Sequence, residues 1–483
     1  TATFQHQANP DFGEGRHVKT TRSICPVCLE SLKADVFERF GQIWMDKSCT
    51  AHGRFSALLS SHARHYHEHD SERLAVATPC CSGGTGCGPA PSASAPGWQN
   101  HSCTVLIEIT ERCNLTCPTC FAGSSPQHSK LMDMATFEAR LEGLLTGGKH
   151  NSDTIQLSGG EPTVHPHLLE MIDRLFTRGF MNVCINSNGI RLAREDYVAR
   201  LSEIVARHRG AFLSVYLQFD GFDDATHARL RDRDDLLPLK QRALTLLLGA
   251  GITVHPVMTL TRGINEHEVG RFVDLAQHQE GLKHLVIQPA MYSGRYDNPR
   301  RVNRLTLGDA VNLVCEQSGL FTAEDFGPIP CSDPNCYGIA VALRTRGGLM
   351  PISRYFPRWE DWEGEDSAAL VQSLTNTLDA PAAFGEAIRW MTSAERLGPL
   401  LDRLDDDEVD DLLETLIAAR EGRDHTWDRL VMLSIKPFMD AWTYDQDRID
   451  KCCVHILDDE GTPVSFCEFN AINRPRAARA QDA

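Results

Sequence analysis

Apolar runs alternate with helical patterns along residues 104–288 of this 483-residue chain, and this alternation constrains the fold more than any other feature. Six runs have the composition of buried strands: Val105–Thr110, Thr154–Leu157, Val183–Asn186, Phe212–Phe219, Ile252–Leu260 and His284–Gln288. Helical patterns lie between them, at 134–146, 167–178, 191–208, 223–248 and 266–279. Crossovers of this length join parallel strands, so we predict an α/β protein with a partial (β/α)6 barrel.

Polar residues follow these runs at the point where each predicted strand ends. They are Gly159, Gly160 and Glu161 after the second run, Ser187 and Asn188 after the third, Gln218 and Asp220 around the end of the fourth, Asn265 after the fifth, and Gln288 and Arg295 at and after the sixth. In β/α barrels the chemistry lies at the carboxyl ends of the strands. Each position also has a simpler interpretation, because paired glycines and Asn-Gly favour turns and aspartate caps helices.

Three cysteines directly after the first run define a candidate metal centre. Cys113, Cys117 and Cys120 have the spacing C-x3-C-x2-C. Three thiolates on one tight loop can hold three irons of a [4Fe–4S] cluster and leave the fourth iron open to another ligand.

The chain has 17 cysteines, which we interpret mainly as metal ligands because no export signal is visible. Near the N-terminus, Cys25, Cys28, Cys49 and His52 flank a predicted hairpin as C-x2-C and C-x2-H. Four such ligands close a tetrahedral shell and predict a structural site for Zn or a single rubredoxin-like Fe.

Composition excludes some function classes. The net charge of −17 argues against non-specific nucleic-acid binding, although a local basic groove stays open. No apolar run reaches the length of a membrane span, so we expect a cytoplasmic protein for which transient membrane contact is an open alternative.

The cysteine motif, followed by Gly159-Gly160-Glu161-Pro162, resembles the signature of the radical S-adenosylmethionine (SAM) superfamily. Within it, the chain is similar to the tetraether lipid synthase group, which includes enzymes that methylate the pterin ring of methanopterin. The similarity runs from about residue 20 to 470 and includes the N-terminal module, 108–122, 188–193, 217–221, 263–268, 330–336 and 452–467.

This resemblance implies that Cys113, Cys117 and Cys120 bind a [4Fe–4S] cluster, whose open iron is chelated by SAM. Reductive cleavage of SAM then gives a 5′-deoxyadenosyl radical that abstracts hydrogen from a substrate. Gly159, Gly160 and Glu161 are expected at the methionine end of SAM, Ser187 and Asn188 at its ribose or carboxylate, and Asn265 near adenine, with Gln218 and Asp220 as further cofactor-binding candidates.

Nine further cysteines suffice for two auxiliary [4Fe–4S] clusters, once Cys184 and Cys315 are assigned to the core. One predicted cluster uses Cys80 or Cys81, Cys87 and Cys103, and the other uses Cys331, Cys336, Cys453 and Cys467. The spacing within Cys80–Cys87 departs from the even spacing expected of the resembled group, which leaves the first ligand set open.

We expect an oxygen-sensitive enzyme that forms a carbon–carbon bond at an unactivated carbon of its substrate. A lipid hydrocarbon chain is the favoured substrate. The alternatives are methyl or alkyl transfer from SAM to a small, pterin-like molecule and a non-catalytic electron-transfer or metal-binding protein. The enzyme would need an external donor of the flavodoxin or ferredoxin type. The predicted segments are a disordered lead-in (1–20), a zinc-knuckle module (21–62), a cysteine-rich loop (63–103), the barrel (104–305), a C-terminal helical iron–sulfur domain (306–470) and a tail (471–483).

Overall fold

The structure, a computed structural model, describes residues 15–68, 102–146, 154–296, 304–328, 332–355, 401–402, 404–420 and 429–481. The N-terminal module is an antiparallel sheet of β1 (Arg16–Ile24), β2 (Ser31–Arg39), β3 (Gln42–Cys49) and β4 (Gly53–Ser60), followed by α1 (Ala63–Glu68). Phe40 and Gly41, with φ of 53° and 72°, form the tight turn between β2 and β3.

Within the described residues, the second sheet has 11 strands and is mostly parallel. Its strands are β5 (Thr104–Thr110), β6 (Thr154–Gly159), β7 (Asn182–Ser187), β8 (Phe212–Gln218), β9 (Thr253–Leu260), β10 (His284–Pro289), β11 (Gly338–Thr345), β12 (Gly348–Pro351), β13 (Leu430–Ile435), β14 (Val454–Leu457) and β15 (Pro463–Ser465). Strands β5 to β10 lie side by side in chain order, as predicted, and β13 and β14 extend them in parallel at the two ends.

One face of this sheet is covered by α2 (Met134–Thr146), α3 (Leu168–Thr177), α4 (Glu195–Arg207), α6 (Leu237–Gly249), α7 (Val269–His278) and α8 (Leu307–Ser318). The described residues also form α5 (Asp224–Arg231), α9 (Asp406–Arg420), α10 (Gln446–Asp450), α11 (Phe466–Glu468) and α12 (Arg474–Gln481). Of these, α11 and α12 contact the opposite face, through Phe466 and Arg474. Alternate strand residues such as Ile107, Leu157 and Val215 pack against α2, α3 and their neighbours in the largest core cluster. The residues between them point to the opposite face, which we call the inner face.

Several segments differ from the sequence prediction. Strand β1 begins at Arg16, within the predicted lead-in, and α12 occupies most of the predicted tail. The single helix predicted over 223–248 is two helices, because Asp232 adopts a left-handed conformation with φ of 59° and ends α5.

Strand β13 lies in a region predicted to be helical. A short apolar run does not distinguish a buried strand from a helix segment, and here pairing with β10 and β11 decides the outcome. In the described part of the chain, no helix is both long and apolar enough to cross a membrane.

Candidate active site and metal centres

The loop after β5 carries three cysteines, Cys113, Cys117 and Cys120. Arg295, which follows β10, holds this loop in place. Its Nε donates to the carbonyl of Cys117 at 3.1 Å, and its two terminal nitrogens donate to the carbonyls of Gly123 and Ser124 at 2.6 Å each. Its backbone N–H donates to the carbonyl of Cys120 at 3.0 Å. One guanidinium therefore fixes the shape of the whole cysteine loop.

The three cysteines pack with buried Leu115 and Leu236. Burial, followed by the charges of Glu161 and of the neighbouring Cys117 and Cys120, raises the pKa of Cys113 to about 12. Three thiolates this close together in an apolar setting need a compensating cation. The donor set therefore fits an iron cluster, which supplies that charge.

The residues Gly159, Gly160 and Glu161 fasten β6 to the cysteine loop. The N–H of Gly160 donates to the carbonyl of Thr110 at 2.7 Å, and that of Glu161 donates to Arg112 at 3.0 Å. A Cβ at Gly159 or Gly160 would lie 2.1 or 2.2 Å from those carbonyl oxygens. The close approach that requires these glycines is thus to the chain's own backbone.

The Glu161 carboxylate is fully buried and makes four hydrogen bonds. Its Oε1 accepts from Thr163 N–H and Oγ1 at 3.1 and 2.6 Å and from Ser187 Oγ at 2.8 Å, while Oε2 accepts from Asn188 N–H at 2.7 Å. Burial raises the pKa of Glu161, and these hydrogen bonds oppose the rise. Glu161 thus orients the end of β7. From there, the side-chain amide of Asn188 donates to Asn114, beside Cys113, at 2.7 Å.

The predicted residues Gln218, Asp220 and Asn265 form one buried network at the ends of β8 and β9. Asp220 accepts from Gln218 Nε2 at 2.7 Å and from Thr259 N–H at 3.1 Å. Asn265 Nδ2 donates to the carbonyls of Asp220 and Thr259 at 2.8 and 3.1 Å. Since both Asp220 and Asn265 are wholly buried, this network joins strand ends to one another.

Two buried cations that the sequence did not single out complete this network. Arg231 makes two hydrogen bonds to Asp220, at 2.7 and 2.6 Å, and its positive charge favours the thiolate of nearby Cys117. Lys240 donates to the carbonyls of Asn188 and Gln218. Burial lowers the pKa of Lys240 to about 8. A motif search misses both residues, because they lie on helices outside any recognisable pattern.

Cys25, Cys28, Cys49 and His52 form a compact second centre. Their four ligand atoms all lie within 4.8 Å of one another. The Sγ of Cys28 is 3.8 Å from that of Cys49, and His52 Nδ1 is 3.5 Å from Cys49 Sγ. The N–H groups of Val27 and Cys28 donate to Cys25 Sγ at 3.4 and 3.5 Å. This arrangement fits a tetrahedral ion with a closed ligand shell.

The C-terminal cysteines include Cys452, which the predicted ligand set left out and which lies near three of the other cysteines, Cys336, Cys453 and Cys467. Burial, followed by the charges of Cys467, Cys453 and Cys336, raises the pKa of Cys452 to about 12. Arg448 donates to Cys336 Sγ at 3.3 and 3.4 Å. Cys453 also lies near Cys103. Val454 of β14 pairs with Thr104 of β5, and Cys453 and Cys103 directly precede these two residues. The predicted ligands Cys80, Cys81, Cys87 and Cys331 lie outside the described residues.

The inner face of the sheet is lined mainly by polar side chains. They are Glu108, Gln156, Ser158, Asn186, Tyr216, Gln218, His255, Thr259, His284, Gln288 and Ser434. Glu108, Gln156, Asn186, Tyr216 and His284 are half-buried, whereas the apolar residues beside them on the same strands are fully buried. The inner face is therefore a partly accessible polar wall.

Two histidines on this wall are paired. His255 Nδ1 and His284 Nδ1 are 3.0 Å apart, and His284 Nε2 is 2.7 Å from Ser434 Oγ. Burial lowers the pKa of His255 to about 4 and that of His284 well below its usual value. Both rings are therefore neutral near pH 7 and present uncharged polar groups.

Comparison with known families defines the class of this protein. Residues 107–276 match the Radical SAM superfamily, and residues 17–61 match the HMPTM N-terminal zinc ribbon domain. The chain is a radical SAM enzyme with an N-terminal zinc ribbon. A radical SAM domain implies a [4Fe–4S] cluster and SAM, and the zinc ribbon favours zinc over iron at the first centre.

Among individual proteins, the chain is 28% identical to 7,8-dihydro-6-hydroxymethylpterin dimethyltransferase of Methanocaldococcus jannaschii, over 94% of each chain. It is 29% identical to GTP 3′,8-cyclase of Chlorobaculum tepidum, over 43% of this chain and 61% of that enzyme. Streptococcus suis SuiB bound to S-adenosylmethionine superimposes with a TM-score of 0.34, at 14% identity, over 44% of this chain and 46% of that one.

Proposed function

We propose that this protein is a radical SAM methyl- or alkyltransferase that acts on a small polar heteroaromatic molecule of the pterin type. The polar inner face is the observation that carries this proposal. A ligand site needs a few placed hydrogen-bonding groups to orient a polar ring, whereas a hydrocarbon chain is favoured by an apolar tunnel. The hydrocarbon chain of the lipid substrate expected from the sequence would lie against amide and imidazole groups such as those of Gln156, Asn186 and His255. These groups hydrogen-bond to their neighbours, and a hydrocarbon would satisfy none of their remaining hydrogen-bonding capacity.

The substrates named for two relatives agree with a polar ring. The Methanocaldococcus relative, aligned over nearly the full chain, is named for a dihydropterin, and the Chlorobaculum relative for GTP. Pterin and guanine share a 2-amino-4-oxopyrimidine ring. The two names therefore support one class of substrate ring for this chain.

Cys113, Cys117 and Cys120 would hold the cluster. The network ending in Asn188 and Asn114 would fix the loop against β7. When bound, the cluster and SAM supply a 5′-deoxyadenosyl radical that removes a hydrogen atom from the substrate. The chain's own residues keep the loop rigid: Arg295 holds its carbonyls, and Glu161 holds the backbone on the opposite side.

The proposed exchange replaces a carbon-bound hydrogen of the substrate with a methyl group. The hydrogen leaves within 5′-deoxyadenosine and methionine is released. The methyl group comes from a second SAM, which leaves as S-adenosylhomocysteine. A flavodoxin- or ferredoxin-type protein would supply one electron for the cleavage of the first SAM and one for the methyl transfer from the second.

An anaerobic assay with two candidate substrates tests this proposal. Reduced, iron-reconstituted protein is incubated with SAM and either 7,8-dihydro-6-hydroxymethylpterin or phospholipid vesicles, and 5′-deoxyadenosine is quantified. We expect the pterin to stimulate its formation and the vesicles to have no effect, with Cys117→Ala inactive as the control. Stimulation by vesicles alone would favour the lipid alternative, and no 5′-deoxyadenosine under any condition would favour an electron-transfer protein.

We further propose that Cys336, Cys452 and Cys467 are ligands of one auxiliary cluster, and that Cys103 and Cys453 belong to another. Each of the first three thiols acts on the pKa of another, which supports the first set; Cys453 also acts on Cys452 and is assigned to the other set because it neighbours Cys103. Iron content after anaerobic reconstitution tests both sets. Cys452→Ser should remove one cluster, whereas iron sufficient for a single cluster in the wild type would contradict the proposal.

A further inference from the structure

A carboxylate and a guanidinium meet on the inner face, near the cysteine loop. Glu108 lies on β5, five residues before Cys113, and Arg474 lies at the start of α12. Arg474 Nη2 donates to Glu108 Oε1 at 2.6 Å, and both side chains are 18% exposed. The two residues are 366 positions apart in the chain, so only the folded structure brings them together.

Arg474 is held in a fixed orientation. Its Nε donates to Asn470 Oδ1 at 2.9 Å, and its guanidinium lies over the Phe469 ring, 5.1 Å from the centroid. Asn470 is itself completely buried, and its Nδ2 donates to the carbonyl of Phe466 at 2.8 Å. The Arg474 side chain is therefore already ordered before a ligand binds.

One hydrogen-bonding atom of each partner is left over. Within the described residues, Glu108 Oε2 and Arg474 Nη1 have no hydrogen-bond partner. Neither belongs to the buried polar atoms that lack a partner, so both can be reached by a ligand. An acceptor and a donor thus stand side by side, and the ionised carboxylate keeps additional lone pairs on Oε1. The neighbouring inner-face groups are Ser158, which pairs with Glu108 in register, and Asn186, which donates to Ser158 at 3.0 Å.

A 2-amino-4-oxopyrimidine ring offers the complementary pattern along one edge. Its 2-amino group and N3–H are adjacent donors, and its 4-oxo oxygen is the next acceptor. A carboxylate accepts two adjacent N–H groups, and a neighbouring guanidinium donates to the oxygen. From this match we infer that Glu108 and Arg474 recognise the amino-oxo edge of the substrate ring. The inference rests on the proposed function and adds the residues that select the ring.

Binding of two ring analogues tests the inference. Reconstituted full-length protein is titrated anaerobically with 6-hydroxymethylpterin and with 6-hydroxymethyllumazine, in which an oxygen acceptor replaces the 2-amino donor, and pteridine fluorescence is followed. The wild type should bind the pterin at least about tenfold more tightly, because the lumazine oxygen would face the carboxylate. In Glu108→Gln this ratio should fall close to one, and Glu108→Asp should restore part of it.

Misfolding of part of a variant lowers the amount of binding-competent protein equally for both ligands. The ratio of the two affinities is therefore insensitive to it. As a second variant, Arg474→Gln should weaken both ligands by a similar factor, since both carry the 4-oxo group, and leave the ratio unchanged. If Glu108 and Arg474 serve only to fasten α12, both variants will lower the melting temperature but keep the wild-type ratio, which would overturn the inference. If the wild type binds neither analogue, the pterin-type substrate itself is contradicted, and the inference falls with it.

Discussion

Replacement of Asp220 by asparagine should specifically loosen the carboxyl ends of β8 and β9. Asp220 is fully buried and accepts two hydrogen bonds from Arg231, at 2.7 and 2.6 Å. In Asp220→Asn the Arg231 charge stays buried, next to the buried amine of Lys240, without its carboxylate. Removing one member of a buried ion pair costs about 3–5 kcal/mol.

The pKa of Asp220 gives a second magnitude. Burial alone would raise the pKa of Asp220, but the charge and hydrogen bonds of Arg231, together with the charges of Lys240 and His227, outweigh it and hold the pKa at about 2, compared with 3.8 for an unperturbed aspartate. A lowered pKa in the folded state means that the carboxylate stabilises the fold above pH 3.8 and that this contribution disappears as the pH falls through 2. A difference of this size corresponds to about 2.5 kcal/mol, near the lower limit of the first magnitude.

Hydrogen exchange measures this loss locally. If local opening becomes easier by about 3 kcal/mol, the amides that exchange through this opening exchange about 100-fold faster. Peptides covering β8 and β9 should show this acceleration in Asp220→Asn, whereas β1 to β4 should not change. The matched control is Asp235→Asn, which breaks the pair with Arg233 at the surface, where the side chains are 61% and 36% exposed. It should cost less than about 1 kcal/mol. Exchange of β8 and β9 within threefold of the wild type in Asp220→Asn would refute the reasoning.

Three further predictions concern the other centres. Cys28→Ser should abolish stoichiometric zinc while the iron of the cysteine loop is retained, as metal analysis of the purified variant will check; unchanged zinc would contradict the assigned shell. Arg295→Lys should release iron to a chelator about tenfold faster, because the single nitrogen of an ammonium group cannot occupy the three positions from which the guanidinium nitrogens reach the three carbonyls; wild-type kinetics would contradict that role. Burial lowers the pKa of His255 to about 4 in the folded protein, so between pH 7 and 5 this ring takes up a proton mainly in the unfolded chain. The free energy of unfolding should therefore fall by about 2 kcal/mol over this pH range. Denaturation at both pH values should show a smaller loss in His255→Gln but not in His167→Gln, a surface control; equal losses in all three proteins would contradict it.

Local sequence patterns predicted the strands and the cysteine loop because those features are encoded within short segments. Strand β7, for example, is an apolar run bounded by turn residues, and it formed within one residue of its predicted ends. By contrast, β13 could not be assigned, because its strand character depends on pairing with β10 and β11, which are distant in sequence.

The same distinction applies to the candidate site. The Gly159–Glu161 element was recognisable as a motif, but its contacts to Thr110 and Arg112 depend on packing between neighbouring strands. Arg231 and Lys240 carry no motif, since a buried cation becomes recognisable only when its partners are in place. The Glu108–Arg474 pair joins the first barrel strand to the last helix, and no local pattern predicts it.

The substrate is the central claim, and isotope transfer tests it most directly. The reduced, reconstituted protein is incubated anaerobically with SAM and 7,8-dihydro-6-hydroxymethylpterin that is deuterated at its carbon-bound positions, and the products are analysed by mass spectrometry. The proposed function predicts deuterium in 5′-deoxyadenosine together with a pterin that has gained a methyl group. Formation of 5′-deoxyadenosine without deuterium, at a rate unaffected by the pterin, would contradict it.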